Sequence, residues 1–238
     1  MRHNPRLMLL LFDIDGTLLL TRGAGLAAME KAGRDLFGAD FRIDGVSFAG
    51  RLDPLIFQDL AARNGVEASE HFEGRFFEAY RKELAELLGN GMTSEALPGV
   101  VRLIEALRRT ENVTLGLLTG NYATTGRLNI RHAGLDPDLF EICVWGTDGQ
   151  CRSALPPVAM NRYEELKGRK ISPEDVVIIG DTPHDVSCAL DNGCRVLAVA
   201  TGRYDESSLR EAGADIVLSN LAECETVVHW IFSRGEQR

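Results

Sequence analysis

"LMLLLFDIDGTLLL", Leu7–Leu20, sets two carboxylates two positions apart at the end of an apolar run and follows them with Gly16 and Thr17. The run from Leu7 to Ile14, broken only by Asp13, shows no alternation of polar and apolar residues. That is how a strand buried on both faces of a parallel sheet reads. It is too short to span a membrane, and acidic residues follow it at once in place of a small-residue cleavage site. A strand of this kind needs parallel neighbours, so the rest of the chain must supply them.

Val113–Leu118, Val176–Ile179 and Val196–Ala200 are further apolar runs, with a weaker one at Asp215–Leu218, and stretches of helical period lie between them. Strands alternating with helices predict an α/β fold, a doubly wound parallel sheet that binds ligands beyond the carboxyl ends of its strands. Between the first two runs, Thr21–Thr93 holds no convincing strand but three helical patterns, Leu26–Phe37, Pro54–Asn64 and Ser69–Leu88. This predicts an inserted α-helical cap domain at 21–93, leaving residues 1–20 and 94–238 as the core. The exit segment is rich in Gly, Thr and Ser, and Pro98 is expected to open the next helix.

With 238 residues, 45% of them hydrophobic, the chain can bury a large core. Its net charge of −9 argues against nucleic acid or an anionic membrane as the main partner, since those need a basic face. The five cysteines (Cys143, Cys151, Cys188, Cys194, Cys224) form no CxxC pair and no metal-ligand spacing. They are read as reduced thiols, which suits a cytoplasmic protein, as does the lack of an export signal. Monomer and homodimer are equally compatible with the sequence.

Three strand ends carry the chemistry. The first reads Asp13-Ile14-Asp15-Gly16-Thr17, the second Leu118-Thr119-Gly120-Asn121, and a later one Gly180-Asp181-Thr182-Pro183-His184-Asp185. Carboxylates gathered at one sheet edge raise each other's pKa unless a cation neutralises them. Mg²⁺ fits, because it takes a few carboxylate oxygens and keeps sites for water and phosphate. Thr119, Gly120 and the helix start after them offer a hydroxyl and N–H groups to phosphate oxygens. The chemistry expected is phosphoryl transfer, with one carboxylate as nucleophile and a second as general acid and base.

In order and spacing these segments resemble the signature motifs of the haloacid dehalogenase-like superfamily, and most closely its phosphoglycolate phosphatase-like group, whose helical cap follows the first strand. The resemblance implies a Mg²⁺-dependent phosphatase acting on a small phosphomonoester through an aspartyl-phosphate. By the same resemblance Asp13 is the nucleophile and a metal ligand, and Asp15 is the general acid and base with its main-chain carbonyl on the metal. Asp181 completes the metal ligands, Asp185 orients the metal's waters or the basic residue, and Thr119, Gly120 and Asn121 hold the phosphoryl group. The family's usual Lys-Pro is missing from the segment before the third motif. Arg152 is the candidate in its place, because a guanidinium pairs bidentately with phosphate or carboxylate.

Other readings stay open for several positions. Arg51, in the turn "FAGRLDP", is a candidate substrate contact from the cap or else a solvated arginine, and Asp53 reads as an N-cap. His184 is a possible phosphate contact or a helix-start residue, and Thr182 a cap hydroxyl. "GAGLAA", Gly23–Ala28, mimics a dinucleotide fingerprint but follows no strand directly, so it is read as the hinge and first helix of the cap. A sugar phosphomutase and a non-catalytic binding module on the same fold remain alternatives to hydrolysis. A dehalogenase fits less well, since a departing halide needs no proton from Asp15.

Overall fold

β1, Met8–Phe12, buries all five of its side chains, and its pleat divides them between two layers. Met8, Leu10 and Phe12 pack with one set of helices, Leu9 and Leu11 with the other. The computed structural model describes residues 7–233, so the ends of the expected core range, 1–6 and 234–238, lie outside the described residues.

In chain order β1 is followed by β2 (Leu19–Leu20), α1 (Ala24–Phe37), α2 (Asp53–Asn64), α3 (Glu70–Gly89), β3 (Glu95–Ala96), α4 (Val100–Leu107) and β4 (Val113–Leu118). Next come α5 (Ala123–His132), β5 (Ile142–Val144), α6 (Leu155–Lys167), β6 (Val176–Gly180), α7 (Pro183–Asp191), β7 (Arg195–Val199), α8 (Glu206–Glu211), β8 (Ile216–Leu218) and α9 (Cys224–Phe232). Six strands form one parallel sheet in the order β5-β4-β1-β6-β7-β8. Counting only these six, the order is third-second-first-fourth-fifth-sixth, the doubly wound arrangement the sequence predicts. Its switch point falls between β1 and β6, which is where a ligand crevice opens in such sheets.

One face is covered by α4 and α9, whose inward residues Leu103, Ile104, Leu107, Val227 and Ile231 recur at helical spacing. The other is covered by α6 and α7 through Leu155, Ala159, Tyr163, Val186 and Ala189. The capping box of α7, with Pro183 in its first turn, explains why that helix starts so sharply beyond β6.

α1, α2 and α3 lie between β2 and β3 and bury an apolar cluster of their own, including Phe41, Phe57, Phe76 and Leu84. The short β2 and β3 pair antiparallel and tie together the two chain crossings into this helical segment. Two expectations need correction. Pro98 precedes α4 by two residues, with Gly99 at the cap position, and β5 is a strand the sequence reading omits, because three residues are too few to show a period.

Candidate active site

The carboxyl ends of β1, β4 and β6 converge beneath the start of α2. Asp13 directly follows β1, and its N–H donates to the Ile179 carbonyl of β6, continuing the ladder, so the carboxylate is delivered at the switch point. Asp13 is buried. Removal from water pushes its pKa up, opposed by the Arg152 guanidinium and assisted by Asp185. Arg152 sits in a short 3-10 turn ahead of α6, with Nη2 3.1 Å from Asp13 Oδ2 and hydrogen-bonded to Asp185 Oδ1. Burial would depress its pKa, yet the two carboxylates more than offset this and raise it. Its Nε has no hydrogen-bond partner among the described residues, leaving a buried donor beside Asp13.

Asp185 is wholly buried and fully engaged: besides Arg152 it accepts from the Thr182 N–H at 3.0 Å and the Thr182 hydroxyl at 2.7 Å. Asp181 lies between two close-approach glycines. A Cβ at Gly16, where φ is +80°, would stand 2.4 Å from Asp181 Oδ2, and one at Gly202 would stand 1.7 Å from it. The Thr17 hydroxyl donates to Asp181 Oδ1 at 3.3 Å. Desolvation, then Asp185 and Asp13, push the Asp181 carboxyl up to about 9. Asp13, Asp181 and Asp185 each place a carboxylate oxygen within 4.8 Å of the others. Burial raises the pKa of Asp13 and Asp181, and with Asp185 they present three buried hard-oxygen donors that fit a hard divalent cation.

Asp15 lines the cleft and is exposed to solvent there. Its carboxyl accepts from Asn121 Nδ2 at 2.7 Å and is pushed up to about 7 by desolvation and the neighbouring Asp13 charge. It stands apart from the three clustered carboxylates. Thr119 and Asn121 are buried after β4, where the Asn121 N–H donates to Thr119 Oγ1 at 3.4 Å. At Gly120 a Cβ would meet the Arg51 carbonyl oxygen at 1.9 Å, so only glycine lets the start of α2 reach the loop. Asp53 N–H donates to the Gly120 carbonyl there at 2.8 Å.

Asp13, Asp15, Thr119, Asn121, Arg152 and Asp181 line a cleft of about 470 Å³, closed on one side by α1, α2 and Tyr80 of α3. Arg51 lines it while its Nη2 is held by Asp59 at 2.7 Å. His184 packs its ring close to Gly50. Thr182 caps α7, and the five cysteines are free thiols.

Four residues escape the sequence reading. Asp53 is the first residue of α2, not its N-cap, a position held by Leu52. Its buried carboxylate instead accepts from the Tyr122 N–H at 2.9 Å. Desolvation, with Asp15 and Asp13 adding repulsion, pushes it up to about 7. An acidic residue before proline reads as a cap, which masks this role. Asn129 of α5 and the Thr201-Gly202 pair after β7 also line the cleft and belong to no motif read from the sequence.

A carboxylate facing a guanidinium, backed by further buried carboxylates at the switch point of a doubly wound sheet, defines an α/β enzyme with an acidic centre. The chain belongs to the haloacid dehalogenase-like hydrolases, whose family model matches residues 10–199. It is similar to a phosphoglycolate phosphatase from Nitrosospira multiformis, 24% identical over 220 residues, 92% of this chain and 94% of that protein. It is also similar to glycerol-1-phosphate phosphohydrolase 2 of Saccharomyces cerevisiae, 25% identical over 218 residues, 88% of this chain and 81% of that protein. The solved structure of a hydrolase from Pseudomonas syringae shares the fold, with a TM-score of 0.70 at 22% identity, covering 96% of this chain and all (100%) of that one.

Proposed function

We propose that this protein is a Mg²⁺-dependent phosphatase that hydrolyses a small phosphomonoester through an aspartyl-phosphate on Asp13. The observation that carries the reading is the placement of Asp13, 3.1 Å from Arg152 and within 4.8 Å of carboxylate oxygens of Asp181 and Asp185. Asp13 and Asp181, with the Asp15 carbonyl, are the proposed ligands of the cation, and Asp185 holds Arg152 in place. When bound, the cation neutralises charge on the phosphoryl oxygens.

Arg152, the Thr119 hydroxyl and the N–H groups of Gly120 and Asn121 orient the phosphoryl group. An Asp13 oxygen attacks phosphorus, and the bond from phosphorus to the ester oxygen breaks. Asp15 gives its proton to the departing alkoxide. Its pKa of about 7 keeps a protonated fraction available at neutral pH. The same carboxylate then takes a proton from water, which attacks the aspartyl-phosphate and frees inorganic phosphate with Asp13 restored. Residues 21–93 are proposed to act as a cap that covers the cleft during these steps.

The test is phosphate release from a panel of small phosphomonoesters with Mg²⁺ or chelator, beside the Asp13→Asn protein. Metal-dependent release that vanishes in the variant is expected. Transfer of label to a second sugar hydroxyl without phosphate release would assign a phosphomutase instead, and binding with neither outcome would assign a non-catalytic module.

A further inference from the structure

The loop after β4, Thr119-Gly120-Asn121-Tyr122, is held from two sides. On the core side the Thr119 N–H donates to the Val144 carbonyl at 3.1 Å and the Gly146 N–H to the Asn121 carbonyl at 2.9 Å. From the helical segment, among the described residues, Asp53 supplies both hydrogen bonds that reach the loop's backbone. Its N–H donates to the Gly120 carbonyl at 2.8 Å, and its carboxylate accepts from the Tyr122 N–H at 2.9 Å. Glu73 and Phe77 of α3 meet the hydroxyl and ring of Tyr122, away from that backbone. The two Asp53 bonds bracket Asn121, whose side chain donates to Asp15 at 2.7 Å. The fit leaves no slack: a Cβ at Gly120 would stand 1.9 Å from the Arg51 carbonyl oxygen, and one at Gly146 would stand 2.0 Å from the Gly120 carbonyl oxygen.

Packing alone does not account for a carboxylate at this position. It is buried, no cation pairs with it among the described residues, and Asp15 and Asp13 repel its charge. Nor does it serve its own helix: Leu52 holds the N-cap, and Pro54 has no N–H to offer. We infer that Asp53 is a positioning residue, whose two hydrogen bonds dock the helical segment on the phosphoryl-binding loop and, through Asn121, aim Asp15 for proton donation; the inference rests on the phosphatase reading above. Withdrawal of α2 breaks both bonds together, giving the Gly120 carbonyl and the Tyr122 N–H to water and leaving Asn121 held from the core side alone. Asp15 is therefore aimed only while α2 is seated.

The experiment measures kcat and KM with Mg²⁺ for glycerol phosphate and p-nitrophenyl phosphate, in the unaltered protein, Asp53→Ala, Asp53→Asn, Asn121→Ala and the Asp53→Ala/Asn121→Ala pair. Exchange of the Tyr122 amide proton is followed by NMR in the unaltered protein and the two Asp53 variants. In Asp53→Ala, kcat on glycerol phosphate is expected to fall about tenfold or more beyond any fall on p-nitrophenyl phosphate, whose leaving group needs little protonation. Asp53→Asn keeps an oxygen for the Tyr122 N–H and should recover most of that loss. With Asn121→Ala already in place, Asp53→Ala should not change the ratio of the two substrates further, because the path to Asp15 is already cut. Equal losses on both substrates, no recovery in Asp53→Asn, or a further change of ratio in the pair each overturn the inference and leave the phosphatase intact. If the unaltered protein turns nothing over, the phosphatase reading fails, and the amide still decides the docking. Exchange about tenfold faster in Asp53→Ala but not in Asp53→Asn upholds it, and unchanged exchange in Asp53→Ala overturns it. Circular dichroism checks that each variant folds, and Asp53→Ser replaces Asp53→Ala where the latter does not.

Discussion

Arg152 pairs with two buried carboxylates of the site at once, Asp13 and Asp185. Among the described residues it is the one cation paired with Asp13 and Asp185, all three being buried, so removing it strands two carboxylates in a poor solvent. Arg152→Ala is expected to cost about 3–5 kcal/mol in the chelated protein, the usual loss when one partner of a buried pair is deleted. Urea unfolding measures it, and a loss under 1 kcal/mol would mean water reaches the pair. Arg152→Lys should recover part of the stability but less of the turnover, because an ammonium has no fork to span carboxylate and phosphate. Asp15→Asn, by contrast, removes the proposed proton donor, whose side chain hydrogen-bonds Asn121 alone among the described residues. Its expected effect is a drop in kcat of about 10²–10⁴-fold on alkyl phosphates, with a smaller drop on p-nitrophenyl phosphate, whose leaving group needs little protonation.

Among the elements, β1 and the α2 start show what sequence can and cannot reveal. Leu9, Leu10 and Leu11 advertise a doubly covered strand by composition alone, because burial on both faces admits no polar residue. Leu10→Ala should accordingly cost about 2–5 kcal/mol, read by urea unfolding. The carboxylates at Asp13, Asp15 and Asp181 were legible for a related reason: a charge that ends an apolar strand has to serve something beyond packing. Asp53 and Asn129 were not. Each sits in an ordinary helical stretch, and it is the approach of α2 to the Thr119–Tyr122 loop that carries Asp53 to the cleft that Asn129 also lines. That approach depends on Gly120, whose missing Cβ leaves room for the Arg51 carbonyl. Gly120→Ala should push the α2 start outward, raising KM and lowering kcat while the sheet stays folded; unchanged kinetics would mean that the helical segment does not need to touch this loop.

Across the whole molecule, the sheet stabilises a cluster of carboxylates that by themselves oppose folding. Asp15 and Asp53 are raised to about 7 and Asp181 to about 9. For an acid whose folded pKa lies above its unfolded value near 4, the folded chain keeps a proton that the unfolded chain has released. Its contribution is complete below about pH 4 and is lost as pH rises through the folded value, so metal-free protein should lose stability from about pH 5 to 9. The proposed divalent cation would bind the ionised cluster of the folded state and compete with those protons, so the stabilisation it gives should grow over the same interval. Thermal unfolding with chelator and with Mg²⁺, at steps across that range, separates the two curves. Asp181→Asn removes the group with the highest of these values and should lessen the slope of the chelated curve across about pH 4 to 9, leaving it flattest above about 7, where Asp15 and Asp53 have already titrated. Parallel curves with and without Mg²⁺ would show that the cation does not bind these carboxylates. Divergence that persists unchanged in Asp181→Asn would move its site away from Asp181.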